Sequence, residues 1–328
     1  MNRTQRGGVV VVGSISVDVT AYSQRLPAPG ETVLGDSLTM VLGGKGSNQA
    51  VAAARAGAQT SMVGCVGSDP FRDIALEGLL AEGVDASAVA TLAGATGVAH
   101  IRVDASGEND IVVVPLANAG LTPDHVETAL ADLADPADCV LLLQLEVPHD
   151  VVRRAARLGW ELGLTVVLDP APAPATPFPD DFWATVDVVT PNETEARLIT
   201  GVTVTDVASA EQAGRWFVDR GVGRAVITLA AQGAVVVTAD EVTTAAPYPV
   251  NAVDTTAAGD AFAGHLGAAL AVGLAWDEAV RRAMAAGALA VTVAGASPSL
   301  PTAAAVDAFL ASRDDDARGA PRLTQRGQ

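Results

Sequence analysis

Residues 138–169, DCVLLLQLEVPHDVVRRAARLGWELGLTVVLD, decide the fold of this chain. The apolar runs 139–145 and 165–169 are typical of buried strands, and the segment 150–162 between them has the apolar spacing of a helix. The same alternation continues to residue 229, with strands predicted at 186–190 and 225–229 and helices at 194–200 and 208–220. Such an alternation predicts a parallel sheet with helices on both faces.

The N-terminal half adds further strands and one interruption. Strands are predicted at 9–14, 32–41 and 60–66, and helices at 49–56, opened by Asn48, and 71–82. Two strand-like runs, 97–103 and 110–114, are joined by the turn DASGEN and break the alternation as an antiparallel hairpin. A hairpin inserted in this way predicts a lid over a site.

These patterns together predict a three-layer α/β/α fold with a mostly parallel central sheet and a small antiparallel β lid. We expect one domain over residues 1–312, with lid segments at about 15–42 and 95–115. The C-terminal part contains two more predicted helices, 260–274 and 277–292. The charged tail 313–328 is predicted to be disordered.

Composition excludes several classes of function. The net charge of −18 and the low aromatic content of 4% argue against a nucleic-acid surface, which needs clustered basic residues and stacking platforms. No apolar stretch approaches the roughly 20 residues of a membrane span. Cys65 and Cys139 lie in apolar runs without metal-ligand spacing, which predicts buried thiols in a reducing cytoplasm.

Residues 251–262, NAVDTTAAGDAF, read as the start of a helix. Asp254, Thr255 or Thr256 could cap this helix, and the small residues 257–259 leave the first N–H groups open to an anion. Asp260 follows on a surface that should be buried, where an unpaired carboxylate costs several kcal/mol by rough estimate. Two interpretations stay open: a capped helix with a satisfied carboxylate, and a phosphoryl-transfer site in which Asp260 accepts a proton.

Lys45 is the only lysine among 20 basic residues. Every other basic residue is arginine, so position 45 is a candidate for a site that needs a compact point charge. The alternative is that this lysine is present by chance. The surrounding run 43–48, GGKGSN, permits close backbone approach to a ligand. It matches neither the P-loop nor the dinucleotide-binding pattern.

The chain resembles the ribokinase family of sugar kinases, of the phosphofructokinase-B type, over nearly its whole length. The resemblance depends on the combined order and spacing of eight motifs: 13–15 (GSI), 29–32 (PGET), 43–50 (GGKGSNQA), 117–119 (ANA), 144–146 (QLE), 169–173 (DPAPA), 190–196 (TPNETEA) and 254–260 (DTTAAGD).

This resemblance implies a role for each matching residue. Asp260 matches the catalytic base, and Ala257, Ala258 and Gly259 match the anion hole. The positions that hold sugar hydroxyls are Ser16, Asp18, Gly44, Lys45, Asn48 and Glu146, together with Asp260. Asn192 and Glu195 match the motif that organises magnesium and phosphate.

The resemblance also implies a nucleotide site and a monovalent-cation site, so the expected cofactors are ATP, Mg²⁺ and K⁺. The nucleotide site corresponds to Thr228, Leu229, Ala230, Ala231, Gln232, Gly233, Gly259 and Met284. The cation site corresponds to Asp254, Thr256, Ala290, Val293, Gly295 and Ser299, several of them through backbone carbonyls.

The implied activity is ATP-dependent phosphorylation of D-ribose at its 5-hydroxyl. Three positions depart from the family pattern: Ser16 stands where Asn is frequent, Ala230 where Gly is common, and Met284 where Asn or His is common. Ser16 leaves open deoxyribose, another pentose, fructose or a nucleoside as substrate. A catalytically inactive sugar-binding protein is the alternative from another functional class. We also expect a homodimer that forms through the lids.

Overall fold

The computed structural model describes residues 7–319 except 132, 134 and 135. In chain order its strands are β1 (Val9–Val12), β2 (Ser16–Tyr22), β3 (Ser37–Gly43), β4 (Thr60–Val66), β5 (Val89–Thr91), β6 (Gly97–Val103), β7 (Asn109–Val114), β8 (Val140–Leu143), β9 (Thr165–Leu168), β10 (Val188–Val189), β11 (Arg224–Thr228), β12 (Ala234–Val237) and β13 (Val242–Ala245). The helices are α1 (Lys45–Arg55), α2 (Phe71–Ala81), α3 (Pro123–Ala131), α4 (His149–Leu162), α5 (Asp180–Trp183), α6 (Glu193–Thr200), α7 (Val207–Val218), α8 (Ala258–Ala271), α9 (Trp276–Ala290) and α10 (Ala303–Gly319).

Nine strands form one large sheet in the order β13-β12-β11-β10-β9-β8-β1-β4-β5. Neighbouring strands run parallel from β5 to β11, and only the β11-β12 and β12-β13 pairs are antiparallel. The central strands β1 and β8 are buried at every residue, as strands covered by helices on both faces must be. The predicted mostly parallel sheet is confirmed.

The two faces of the sheet bury separate apolar cores. Alternate residues of β1 divide between them, because successive side chains of a strand point to opposite faces. Val10 and Val12 join the core that α3, α4 and α7 cover, whereas Val9 and Val11 join the core beneath α1, α8 and α9. This division gives the predicted three layers.

The lid is a second sheet of four strands in the order β3-β2-β6-β7. The predicted hairpin of β6 and β7 is confirmed, but β2 and β6 pair in parallel, so the lid is mixed rather than wholly antiparallel. The strand predicted at 32–41 instead occupies Ser37–Gly43, where it pairs along all of β2.

Several helix boundaries differ from the sequence prediction. Helix α1 begins at Lys45, so Asn48 lies inside the first turns rather than at the cap. Helix α10 continues to Gly319, past the predicted start of the tail at 313, while 320–328 lie outside the described residues. Among the described helices none is both long and apolar enough to span a membrane.

Candidate active site

Polar side chains collect where the parallel strands end. Ser14 follows β1, Gln144 and Glu146 follow β8, and Asp169 follows β9. Ser14, Gln144 and Asp169 are buried, and Glu146 is half-buried. The carboxyl ends of parallel strands meet at one edge of the sheet, which is where ligands bind in open α/β folds. Helices α1 and α8 begin at the same place.

Helix α8 begins without a side-chain cap. Its N-cap is Ala257, which has φ 59° and ψ 11° and makes no capping hydrogen bond, so the predicted cap from residues 254–256 is wrong. A Cβ added to Gly259 would have no atom within 4 Å, so the first turn is open to an approaching group. Unpaired N–H groups at an open helix start attract anions.

Asp260 lies in this first turn and is 4% exposed. Its Oδ2 accepts a hydrogen bond from Asn48 Nδ2 at 3.1 Å, and its Oδ1 accepts one from Gln49 Nε2, also at 3.1 Å. Lys45 Nζ lies 3.6 Å from Asp260 Oδ1. These partners offset the free-energy cost of burying the Asp260 carboxylate. All three come from α1, more than 200 residues earlier in the chain.

Lys45 connects this carboxylate to Asp169. The ammonium lies 3.1 Å from Asp169 Oδ2. Burial lowers the pKa of Lys45, but the negative charges of Asp169 and Asp260 outweigh burial, so the pKa is raised. Asp169 also accepts from Gln49 Nε2 at 2.9 Å, and Gln144 Nε2 donates to Gln49 Oε1 at 2.6 Å. Burial raises the pKa of Asp169, against the opposing charge of Lys45.

Asp169, Gln49 and Gln144 were not among the predicted site residues. The sequence nevertheless carried a signal, because Gln144 and Asp169 stand at the ends of buried strands. Gln49, Gln144 and Asp169 also belong to three of the eight motifs.

The wall of the site beside the lid is acidic. Asp18, on β2, is 6% exposed, and burial, together with the charges of Glu146 and Asp260, raises its pKa to about 7. Glu146 Oε2 accepts from Ser14 Oγ at 2.6 Å and from the Lys45 backbone N–H at 3.0 Å. Glu146 thus pairs with an N–H at the start of α1 as well as lining the site.

Gly44 and Ser16 lie close together at the start of α1. Gly44 has φ 92°, and a Cβ there would lie 3.0 Å from Ser16 N and 3.1 Å from Ser16 Oγ. The left-handed backbone and this contact both require glycine. The site therefore has little room between residues 16 and 44.

Asn192 and Glu195 form a capping box at the start of α6. The Asn192 Oδ1 accepts from the Glu195 N–H, and Glu195 Oε2 accepts from the Asn192 N–H, both at 2.9 Å. This cap is a structural explanation of the motif. Burial also raises the pKa of Glu195. The Glu195 carboxylate interacts electrostatically with Lys45 and Asp260, so it contributes to the electrostatics of the same site.

The predicted nucleotide loop follows β11 and turns sharply. Ala230 has φ 44°, a left-handed conformation that favours glycine and explains why glycine is common there. A Cβ on Gly233 would lie 2.1 Å from Ala245 O, so this loop packs directly on the end of β13. A cavity of about 370 Å³ adjoins it, lined by Ala245, Ala246, Pro247, Tyr248, Trp276 and Met284 among others. Met284 thus lines the same cavity as Ala245, the residue against which Gly233 packs.

Asp254 joins the segment before α8 to the loop after α9. Its Oδ1 accepts from Thr256 N at 2.9 Å and Oγ1 at 2.6 Å, and its Oδ2 accepts from Gly295 N at 2.8 Å. These hydrogen bonds outweigh burial and lower its pKa. The other candidate positions lie on the α9 side: Ala290, Val293 and Ser299. Among the described residues no group of three His, Cys, Asp or Glu side chains is placed to hold a metal ion.

Comparison with curated proteins gives close relatives. The chain is 41% identical over 298 residues to the ribokinase of Haemophilus influenzae, covering 90% of this chain and 96% of the relative. It is 34% identical over 304 residues to the deoxyribokinase of Salmonella typhi, covering 92% and 98%.

Solved structures agree. Arabidopsis thaliana ribokinase, solved with ribose and ATP, superposes with a TM-score of 0.83 at 30% identity, covering 93% of this chain and 99% of that one. A ribokinase-like chain from E. coli, solved with ATP and Mg²⁺, gives 0.77 at 25% identity with the same coverage. The model of the pfkB family of carbohydrate kinases matches residues 7–303. The chain therefore belongs to the pfkB family of carbohydrate kinases.

Proposed function

We propose that this kinase transfers the γ-phosphoryl group of ATP to the 5-hydroxyl of D-ribose and gives ribose 5-phosphate and ADP. The observation that carries the proposal is the Asp260 carboxylate, buried in the open first turn of α8 and held by Asn48, Gln49 and Lys45. Ribokinases among its relatives, one of them solved with ribose and ATP, support the choice of sugar and donor.

Asp260 acts as the base in this scheme. As the 5-hydroxyl oxygen forms its bond to the γ-phosphorus, its proton moves to the Asp260 carboxylate and the bond from the γ-phosphorus to the bridging oxygen of ADP breaks. The transition state of phosphoryl transfer is loose, so positioning and charge neutralisation matter more than base strength. The N–H groups of residues 257–259 receive the charge of the moving phosphoryl group.

ATP and Mg²⁺ fit the residues on the nucleotide side. The turn 228–233 and the cavity beside Met284 would receive the nucleotide, and Asn192 and Glu195 would arrange the waters of Mg²⁺, which neutralises phosphate charge when bound. Five carboxylates face a single ammonium in the site (Asp18, Glu146, Asp169, Glu195 and Asp260 against Lys45), so a divalent cation suits its charge balance. Because ATP is the donor, we place the reaction in the cytoplasm.

A monovalent cation fits the loop that Asp254 organises. One carboxylate with backbone carbonyls, such as those of Ala290 and Val293, supplies oxygen donors of low total charge, which suits K⁺. A bound ion would fix this loop against the segment that leads into the anion hole. Activity that is indifferent to replacing K⁺ with a bulky organic cation would contradict this assignment.

2-Deoxyribose is the second candidate substrate. Ser16 replaces a frequent Asn and lies buried against Gly44, so its short hydroxyl reaches less far into the site. Deoxyribokinases are also among the relatives, at 34% identity. Fructose, other pentoses and nucleosides stay as further alternatives.

A coupled assay of ADP release over ribose, 2-deoxyribose, other pentoses, fructose and nucleosides tests the substrate. The highest kcat/KM is expected with ribose. Turnover of deoxyribose but not ribose would move the assignment to the second candidate. Sugar binding without any turnover would favour the inactive sugar-binding alternative.

We further propose a homodimer formed through the lids. The edge strand β7 exposes apolar side chains on both of its faces, with Ile111 46% and Val112 63% exposed. On the other edge, β3 exposes Leu38 and Met40. Two unpaired edges with exposed apolar residues are suited to association.

A further inference from the structure

Asp169 and the catalytic candidate Asp260 are held by the same two donors. Lys45 Nζ lies 3.1 Å from Asp169 Oδ2 and 3.6 Å from Asp260 Oδ1. Gln49 Nε2 donates to the same two oxygens, at 2.9 Å and 3.1 Å respectively. The two carboxylates therefore share one ammonium and one amide group.

A hydrogen bond from Gln144 fixes the orientation of the Gln49 amide. Gln144 Nε2 donates to Gln49 Oε1 at 2.6 Å, so the N–H₂ end of Gln49 must face the carboxylates. An amide nitrogen has two hydrogens, and each finds one acceptor, on Asp169 and on Asp260. Gln49 and Gln144 are fully buried and Asp169 is 6% exposed, so this arrangement is shielded from competing water.

The two oxygens of Asp260 consequently differ. Oδ1 faces Gln49 and Lys45, whereas Oδ2 accepts only from Asn48 among the described residues. A carboxylate oxygen has two acceptor positions. Oδ2 therefore retains one position for a substrate hydroxyl.

We propose that Asp169 is a positioning residue of the kinase: by sharing Lys45 and Gln49 with Asp260, it keeps the ammonium from closing onto Asp260 and leaves Oδ2 free for the substrate proton. This inference depends on the proposed function, in which Asp260 is the base. Among the described residues, the hydrogen bonds and ion pairs that join Asp169 to Asp260 run through Lys45 and Gln49, and Asp169 itself touches no reacting atom.

Loss of the charge at Asp169 has a definite consequence for Asp260. The ammonium of Lys45 then has Asp260 as its nearest carboxylate, and attraction over a few ångströms in a buried site is strong. A closer ion pair would turn the carboxylate away from the substrate and reduce its affinity for a proton. The charged groups that act on Asp260 are Asp18, Lys45, Asp169 and Glu195.

The first experiment is steady-state kinetics of Asp169→Asn with ATP and the sugar that the substrate panel identifies. We expect kcat to fall about 10- to 100-fold, the range that misplacing a reacting group produces, with the KM for ATP nearly unchanged. The acidic limb of the pH profile of kcat/KM should move to lower pH. An unchanged kcat and pH profile would overturn the proposal, even if the variant melts at a lower temperature.

The double variant Lys45→Met/Asp169→Asn tests the route through Lys45. Removing the ammonium also removes the ion pair that captures Asp260, so the double variant should be faster than Asp169→Asn alone. Two losses that simply multiply would overturn a role that acts through Lys45, because independent sites are additive in free energy.

Two control variants distinguish the positioning role from a general loss of buried charge and from a wrongly assigned base. Asp187→Asn changes a half-buried carboxyl group that accepts a hydrogen bond from the Val166 N–H at 2.7 Å. Asp187 precedes β10 and so lies at the amino ends of the strands, away from the site, and this variant should keep the kinetics of the parent enzyme. Asp260→Asn tests the proposed function itself. If Asp260→Asn retains activity, the assigned base is wrong; if it is inactive while Asp169→Asn is normal, only the positioning role fails.

Discussion

Asp260 carries the largest single-residue consequence of the proposed chemistry. Asp260→Asn keeps the shape of the side chain but cannot accept the sugar proton as a carboxylate does. We expect kcat to fall about 10²- to 10⁴-fold, the range for loss of a general base. Steady-state kinetics measures this loss, and calorimetric titration with the sugar should still detect binding.

Asp18 links stability to pH. Its pKa rises from an ordinary 3.8 to about 7 in the folded chain, mainly through burial. A carboxyl group whose pKa is higher in the folded than in the unfolded chain stabilises the fold at low pH, where the group is protonated. This stabilisation is lost as the pH rises from about 4 to 7. The amide in Asp18→Asn does not ionise, so this variant does not lose stability over that pH range.

The expected result for Asp18→Asn is a gain in the free energy of unfolding that grows by about 3 kcal/mol between pH 5 and pH 8. Urea unfolding at the two pH values measures it. The exposed Asp240 offers a matched control, since Asp240→Asn should change stability little at either pH. Equal gains from Asp18→Asn at both pH values would contradict the coupling.

Some contacts of the candidate site can be predicted from the sequence and others cannot. The motifs predicted that Lys45, Asn48 and Asp260 belong to one site, and the contacts at 3.1 Å and 3.6 Å agree in position with that expectation. The link from Lys45 to Asp169 was not predicted. It spans 124 residues and depends on the registration of β9 against α1, which no local pattern contains.

The contact between helices α1 and α8 sets the geometry of the site. Gly264 of α8 packs against α1 so closely that a Cβ there would lie 2.4 Å from Ala52 Cβ and 2.8 Å from Gln49 O. Gly264→Ala must therefore move the helix that carries Asn48 and Gln49 away from Asp260. We expect a loss of about 1–3 kcal/mol in stability from overpacking, together with a lower kcat.

Gly267→Ala is the matched control on the same helix. The three atoms nearest to its added methyl group would all belong to the side chain of Leu142, the closest at 3.0 Å, and this side chain can adjust. Thermal melting and kcat should both change less than in Gly264→Ala. A Gly264→Ala variant that is destabilised but has normal kcat would show that the spacing of the helices does not control catalysis.

Elements were predicted well where burial dictates the pattern and less well at their ends. The apolar runs of β1, β4 and β8 and the periodic α4 appear within a few residues of their predicted bounds. The starts of α1 and α8 were misjudged because each begins at a residue with positive φ, Gly44 and Ala257, without a side-chain cap. Both helix starts lie at the candidate site, where ligand access competes with ordinary capping.

The proposed homodimer depends on the lid. Strand β7 is an edge strand of the small sheet, and its four residues 111–114 are each at least 42% exposed although all are Ile or Val. Such a continuous apolar edge is a liability for a monomer, because it can pair with other chains. In the proposed dimer, the lid of a second copy would cover this edge and would also hold the lid over the site.

We therefore expect sedimentation equilibrium at about 10 µM, where even a micromolar interface is substantially occupied, to give twice the chain mass of 33.0 kDa. Val112→Glu places a charge on the edge and should yield a monomer. Val207→Glu makes the same change at the start of α7, where the exposed valine lies outside the lid, and should remain dimeric. A monomeric parent chain, or equal effects of both variants, would rule out association through the lids.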